Sequence, residues 1–199
     1  MTLRRSELDL IAAWTDKAKP HRGVYFRSVS YTFMRPETVL DGAGAAAHGG
    51  RFASPGTAAV YLSESDAVAT SEVTGRKKRL GGAALINVGK YPRVVFAVGF
   101  DLTRVLDLTQ RPLPRGMGAI GEKCLGEDLL PSQQFGDVLV AQGIEGLRFP
   151  SQAGPGVNLV VYKKCCHPNA LKIENEAALR ATIAGIAGSI KMFKNPPSS

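Results

Sequence analysis

The spacing of apolar residues predicts an α+β fold, a compact single domain in which helices pack on a mixed or antiparallel sheet. Three observations carry that expectation. With 199 residues, 44% of them hydrophobic, the chain is long enough to bury one sizeable core and short for two full domains. Apolar spacing is helical near both ends and strand-like between them. The strand-like pieces are separated by Gly, Pro and Asp and show no internal repeat, as in an antiparallel meander.

Residues 3–17 place Leu8, Leu10, Ile11, Ala12 and Trp14 at helical spacing behind Ser6 and Asp9, and Pro20 closes the segment. Residues 23–29 alternate Val24, Phe26 and Ser28 against Tyr25, Arg27 and Val29, a strand signal. From Pro36 to Gly56 glycines and prolines dominate, which predicts loop with one short helical turn at most. Residues 58–62 form an apolar run fit for a buried strand, after which Ser63 or Ser65 caps a helix reaching about Arg79. Strands are expected at 83–88, 93–98 and 105–108, a helix at 133–142 ended by Gly143, strands at 145–149 and 157–162, and a helix over 174–191.

The longest uncharged apolar run, 94–100, is far short of the roughly 20 residues a bilayer crossing needs. Arg4 and Arg5 are followed by Glu7, Asp9 and Asp16 and not by an apolar stretch, so no secretion signal is expected and the chain is read as cytoplasmic, with no membrane partner. Cys124, Cys165 and Cys166 make a poor disulfide framework, and the adjacent pair lacks the C-x-x-C spacing that lets two thiolates share a zinc, so no metal site is expected. The net charge of +8 suits a nucleic acid, an anionic small molecule or an acidic protein. The densest basic run, Arg76 to Arg79, has no aromatic residue inside it and reads as a solvated helix end, so direct nucleic-acid binding is not expected.

Gly42, Gly44 and Ala47 match the dinucleotide fingerprint G-x-G-x-x-A, and Glu64 stands where its ribose-binding acid would be. Context removes that reading. Gly49, Gly50, Pro55 and Gly56 lie between Ala47 and Val60 and leave no room for the crossover helix that a parallel βαβ unit requires. What remains is a glycine-rich loop that delivers Gly49-Gly50-Arg51 to the edge of a strand.

The order Tyr25-Phe26-Arg27, Gly49-Gly50-Arg51-Phe52 with Pro55-Gly56, Val60-Tyr61-Leu62-Ser63, Glu72, Phe149-Pro150-Ser151 and Asn158 resembles the RES domain family. The likeness covers roughly residues 23–162. It departs at Phe52-Ala53, where the family more often shows Trp-Asn. The resemblance implies a fold similar to ADP-ribosyltransferase toxins, NAD as substrate with no resident cofactor, and cleavage of the nicotinamide–ribose bond by hydrolysis or phosphorolysis. It also implies a toxin of a bacterial toxin–antitoxin pair, held inactive by a helix-turn-helix antitoxin of the Xre type; a homo-oligomer is compatible with it. The domain plan is then a helical segment at 1–22, the catalytic domain at 23–192 including the last helix, and a disordered tail at 193–199.

Breaking an N-glycosidic bond to a pyridinium passes through an oxocarbenium-like sugar, which a carboxylate beside the ribose stabilises. Glu72 is the expected carboxylate, with Arg27 and Ser151 as its catalytic companions. A planar guanidinium grips phosphate oxygens in pairs, a task expected of Arg27 and Arg51. Gly50 would let a ligand approach the backbone, Tyr61 could stack on nicotinamide or bond the ribose, and Tyr25 and Asn158 complete the substrate-binding set. Ser151 lies at a loop mouth without a nucleophile elbow, so a hydrogen-bonding role fits it better than covalent attack. Two other readings stay open: a mono-ADP-ribosyltransferase that labels a protein through the same pocket, and a non-catalytic module that binds NAD or a nucleotide.

Overall fold

The protein was analysed as a computed structural model that describes residues 2–79 and 92–194; the strand expected at 83–88 and residues 195–199 of the expected tail lie outside them. The elements are α1 (Arg5–Trp14), β1 (Lys19–Ser30), α2 (Ala43–His48), β2 (Ala59–Ser63), α3 (Asp66–Arg79), β3 (Arg93–Asp107), α4 (Met117–Leu125), α5 (Leu130–Ala141), β4 (Gly146–Pro150), β5 (Val157–Tyr162), β6 (Leu171–Ile173) and α6 (Glu176–Lys194). The expected α+β class with a mixed sheet is what the chain adopts. No helix among the described residues is long and apolar enough to cross a membrane.

The strands run in the order β1-β2-β5-β4-β3-β6, and β1 also pairs with β3, so the first five close on themselves. All pairings are antiparallel except β3 with β4. The ring is weakest between β1 and β2, where Phe26 opposite Ser63 is the one registered pair. Successive residues of a strand face opposite sides, and two cores result. On one side Ile11 and Trp14 of α1, Met117 and Ile120 of α4 and Phe135 and Leu139 of α5 cover Leu106, Leu147, Phe149, Val160 and Tyr162. On the other, Tyr25, Val60, Leu62, Phe96, Val98, Phe100, Leu159 and Val161 pack with Leu179 of α6.

Three departures from expectation have physical causes. The strands expected at 93–98 and 105–108 are one continuous strand that ends at Asp107, because Gly99 does not break it: a Cβ there would sit 2.2 Å from Glu174 Oε1, so the glycine serves a close approach. β1 begins at Lys19, inside the segment expected to be helical, because β3 supplies partners as far as Val105. Helix α4 was hidden by Gly116, Gly118 and Gly121, of which Gly116 caps its start at a φ of 85° and Gly121 is buried.

Phe52 fills the place of the family's more usual Trp. Its ring is fully buried against Phe135 (centroids 5.6 Å apart) and Phe149 (4.9 Å). Its φ of 64° lies in the left-handed region, a conformation that costs a non-glycine residue on the order of 1 kcal/mol or more. The neighbourhood fixes it there: Tyr162 Oη donates to the Phe52 carbonyl at 2.9 Å, and α5 passes so close that a Cβ on Gly136 would lie 2.0 Å from that oxygen.

Candidate active site

Glu72 projects from α3 toward the hairpin joining β4 to β5. Ser151 begins that turn, and its backbone N–H closes it on the Gly156 carbonyl at 2.8 Å. Gly156 adopts a φ of 138°, and a Cβ on it would come 2.4 Å from a Val68 methyl, so α3 and the hairpin are pressed together at this point. That contact sets the carboxylate against its partners. Glu72 Oε1 accepts hydrogen bonds from Ser151 Oγ at 2.7 Å, Gln152 N at 3.2 Å and Asn158 Nδ2 at 2.6 Å.

Asn158 is itself oriented from behind. Its Oδ1 accepts from the buried Ser63 hydroxyl at 2.7 Å, which leaves its amide nitrogen aimed at Glu72. Ser63 closes β2 directly opposite Asn158 and directly opposite Phe26 of β1. Ser151 Oγ also accepts from Ala153 N at 3.1 Å. Among the described residues, all the donors to the Glu72 carboxylate therefore meet one oxygen, and Oε2 has no hydrogen-bond partner. Such a carboxylate is oriented yet retains an open acceptor for an incoming hydroxyl or cation.

Arg27 lies at the weak β1–β2 seam, where its Nη1 donates to the Tyr61 carbonyl at 3.1 Å. Its Nε is buried without a partner among the described residues. Burial pushes the guanidinium pKa down to about 10, against an opposing pull from Asp41. A half-buried cation with a buried, unpartnered N–H is costly unless an anion meets it.

The glycine loop is built differently from the expectation. A Cβ on Gly50 would lie 2.6 Å from Tyr61 Oη, so this glycine is required by the tyrosine lying over it. Tyr61 in turn donates through its hydroxyl to the Arg51 carbonyl. The Arg51 guanidinium donates through Nη1 to the carbonyls of Cys124 at 2.6 Å and Gly126 at 2.8 Å, closing the C-terminus of α4. Gly50, Arg51 and Tyr61 are thus one linked unit, and Arg51 carries a structural duty that the sequence did not announce.

Tyr25 does not join the residues around Glu72. It is buried in the second core, its ring edge-on to Phe100 with centroids 5.1 Å apart. The structure therefore gathers Glu72, Ser151 and Asn158 directly, ties Arg27 to Gly50, Arg51 and Tyr61 through the Tyr61 backbone and ring, and sets Tyr25 apart, in the second core with its side chain hydrogen-bonded to Arg148. Ser63 went unrecognised as a contributor; its strand-end position opposite Asn158 was the available signal.

Comparison with known proteins bears on this geometry. A family model described as RES domain matches residues 19–184. A chain in the crystal structure of the M. tuberculosis MbcT–MbcA toxin–antitoxin complex is similar in fold, with 23% identity and a TM-score of 0.64 over 83% of this chain and 89% of that one. Comparison with curated proteins returns no match. Because the family model spans Lys19, where β1 begins, to residue 184 within α6, and so takes in every described strand and the whole Glu72 network, the chain belongs to the RES domain family.

Proposed function

We propose that the protein degrades NAD by cleaving its nicotinamide–ribose bond, and that it acts as the toxin of a toxin–antitoxin pair. The observation that carries the chemistry is the Glu72 carboxylate, immobilised through one oxygen while the other has no hydrogen-bond partner among the described residues. Departure of nicotinamide leaves positive charge on the ribose ring, and a fixed carboxylate stabilises that charge without reorganising. Oε2 would accept from a ribose hydroxyl or from the attacking water or phosphate. Ser151 and Asn158 hold the carboxylate in place, and Ser63 holds Asn158.

The lightly matched Arg27 supplies the complement to the NAD pyrophosphate, since a guanidinium binds two phosphate oxygens at once. The toxin role is supported by family membership and by likeness to a chain from a toxin–antitoxin complex. It implies an antitoxin of the helix-turn-helix, Xre type that covers the Glu72 site and keeps the enzyme silent in the cytoplasm.

Purified protein incubated with NAD, with and without inorganic phosphate, tests the activity. Release of nicotinamide is expected, and phosphate dependence assigns phosphorolysis over hydrolysis. Intact NAD after prolonged incubation with folded protein rejects the proposal.

A further inference from the structure

A cavity of about 540 Å³ opens where the start of β1, the end of β3 and the proline-rich segment 112–114 meet. Trp14 walls it, Lys17 and Lys19 stand around it, and His21, Asp107 and Arg148 line it. None of the residues grouped around Glu72, nor Arg27, Arg51 or Tyr61, contributes to its lining. Its volume is that of a small-molecule site, well beyond what a single water or inorganic ion fills.

The charges in it do not balance. Asp107 is already engaged: Oδ1 accepts from Thr109 N at 2.8 Å and Thr109 Oγ1 at 2.5 Å, and Oδ2 pairs with the Arg148 guanidinium. Lys17 and Lys19 form no ion pair among the described residues. Arg148 Nε and His21 Nε2 are buried with no partner among the described residues. Burial, and after it the neighbouring Arg148 charge, holds the His21 imidazole below its ordinary pKa, against an opposing pull from Asp107.

We propose that this cavity is a second ligand site, separate from the Glu72 network, that takes a small organic phosphate. The phosphate meets Arg148 and the two lysines, the charge arrangement that binds a dianion best in a partly dehydrated site. The indole of Trp14 and the proline segment receive the organic part, which gives the site reason to exceed the size of inorganic phosphate.

Trp14 is the one tryptophan of the chain, so its fluorescence and its indole N–H resonance come from the wall of this cavity, where it meets the first core. The full chain is titrated with ribose 5-phosphate, inorganic phosphate and ribose at matched ionic strength. The expected result is a saturable Trp14 response to ribose 5-phosphate, weaker for inorganic phosphate and none for ribose. The Lys17→Gln/Lys19→Gln variant should weaken binding at least ~10-fold, and Glu72→Gln should leave it unchanged. No saturable response, an equal response to inorganic phosphate, or full affinity in the lysine variant overturns the proposal. Loss of NAD cleavage in Glu72→Gln with the Trp14 response intact separates this site from the one proposed above.

Discussion

Asn158 Nδ2 lies 2.6 Å from Glu72 Oε1 while Asn158 Oδ1 accepts from Ser63 Oγ at 2.7 Å, so a single amide transmits the position of β2 to the carboxylate on α3. An amide held at both ends has one orientation, and the carboxylate inherits it. Removing the Ser63 hydroxyl leaves Asn158 Oδ1 without its donor and frees the side chain to turn. We expect Ser63→Ala to lower kcat by about 10-fold with little change in KM, and Ser63→Thr, which keeps the hydroxyl, to restore it. A matched loss in kcat and thermal stability that Thr fails to rescue would assign Ser63 to packing.

Glu72→Gln keeps the shape of the side chain and an oxygen to accept from Ser151, Gln152 and Asn158, but removes the charge. NAD turnover should fall by at least ~10³-fold, with NAD affinity held within a few-fold. Nicotinamide release and equilibrium binding measured on the same sample separate the two quantities. Full activity in this variant sinks the carboxylate mechanism.

Gly50→Ala places a methyl 2.6 Å from Tyr61 Oη and 2.9 Å from Cζ. The ring must move, and its hydrogen bond to the Arg51 carbonyl goes with it. A loss of about 1–3 kcal/mol in unfolding free energy is expected, read by denaturant titration. Combining it with Tyr61→Phe should cost less than the sum of the separate losses, because the two changes address one contact.

Glu7 holds α1 to α4 through the Lys123 ammonium, at 2.5 Å, and accepts from the Arg4 backbone at 2.8 Å. The Lys123 hydrogen bond first, then the Arg4 N–H, lower its pKa from 4.5 to about 2 in the folded protein, against the opposing effect of burial. A carboxylate depressed on folding contributes stability that is fully present above its unfolded pKa and lost as pH falls toward the folded one. The midpoint of thermal unfolding should therefore drop between about pH 5 and pH 2, and Glu7→Gln should flatten that part of the profile while lowering stability at pH 7. An unchanged profile in the variant would remove Glu7 from the acid transition.

Much of the cluster around Glu72, the candidate site, was legible because its residues sit at strand and helix positions that leave marks in the sequence. Glu72 follows an apolar helical face, Ser151 follows a proline at a strand end, and Asn158 interrupts an otherwise apolar strand. The bounds of β5 came out as expected for the same reason, since 157–162 is a short β-branched run between turn residues. What escaped depends on partners far along the chain. Arg51 looked free to grip phosphate, yet it closes α4 across 73 and 75 residues. Tyr25 alternates in phase with Arg27 and looked like a companion in the site, but pairing of β1 with β3 sets it opposite Val98 and beside Phe100 in the core. Gly99 and the glycines of α4 read as breakers because local propensity carries no trace of the close approaches that tertiary packing demands.

The donors that fix Glu72 lie 79, 80 and 86 residues beyond it. A ribosome adding roughly 5–20 residues per second takes several seconds to bridge that gap. During that interval the growing chain carries the carboxylate without the hairpin that orients it, and β2 waits for β5. Reactivity consequently arrives late in synthesis and all at once. A message cut short before Ser151 yields a fragment without the oriented carboxylate, and under the proposed function those seconds are time for a protective partner to be at hand.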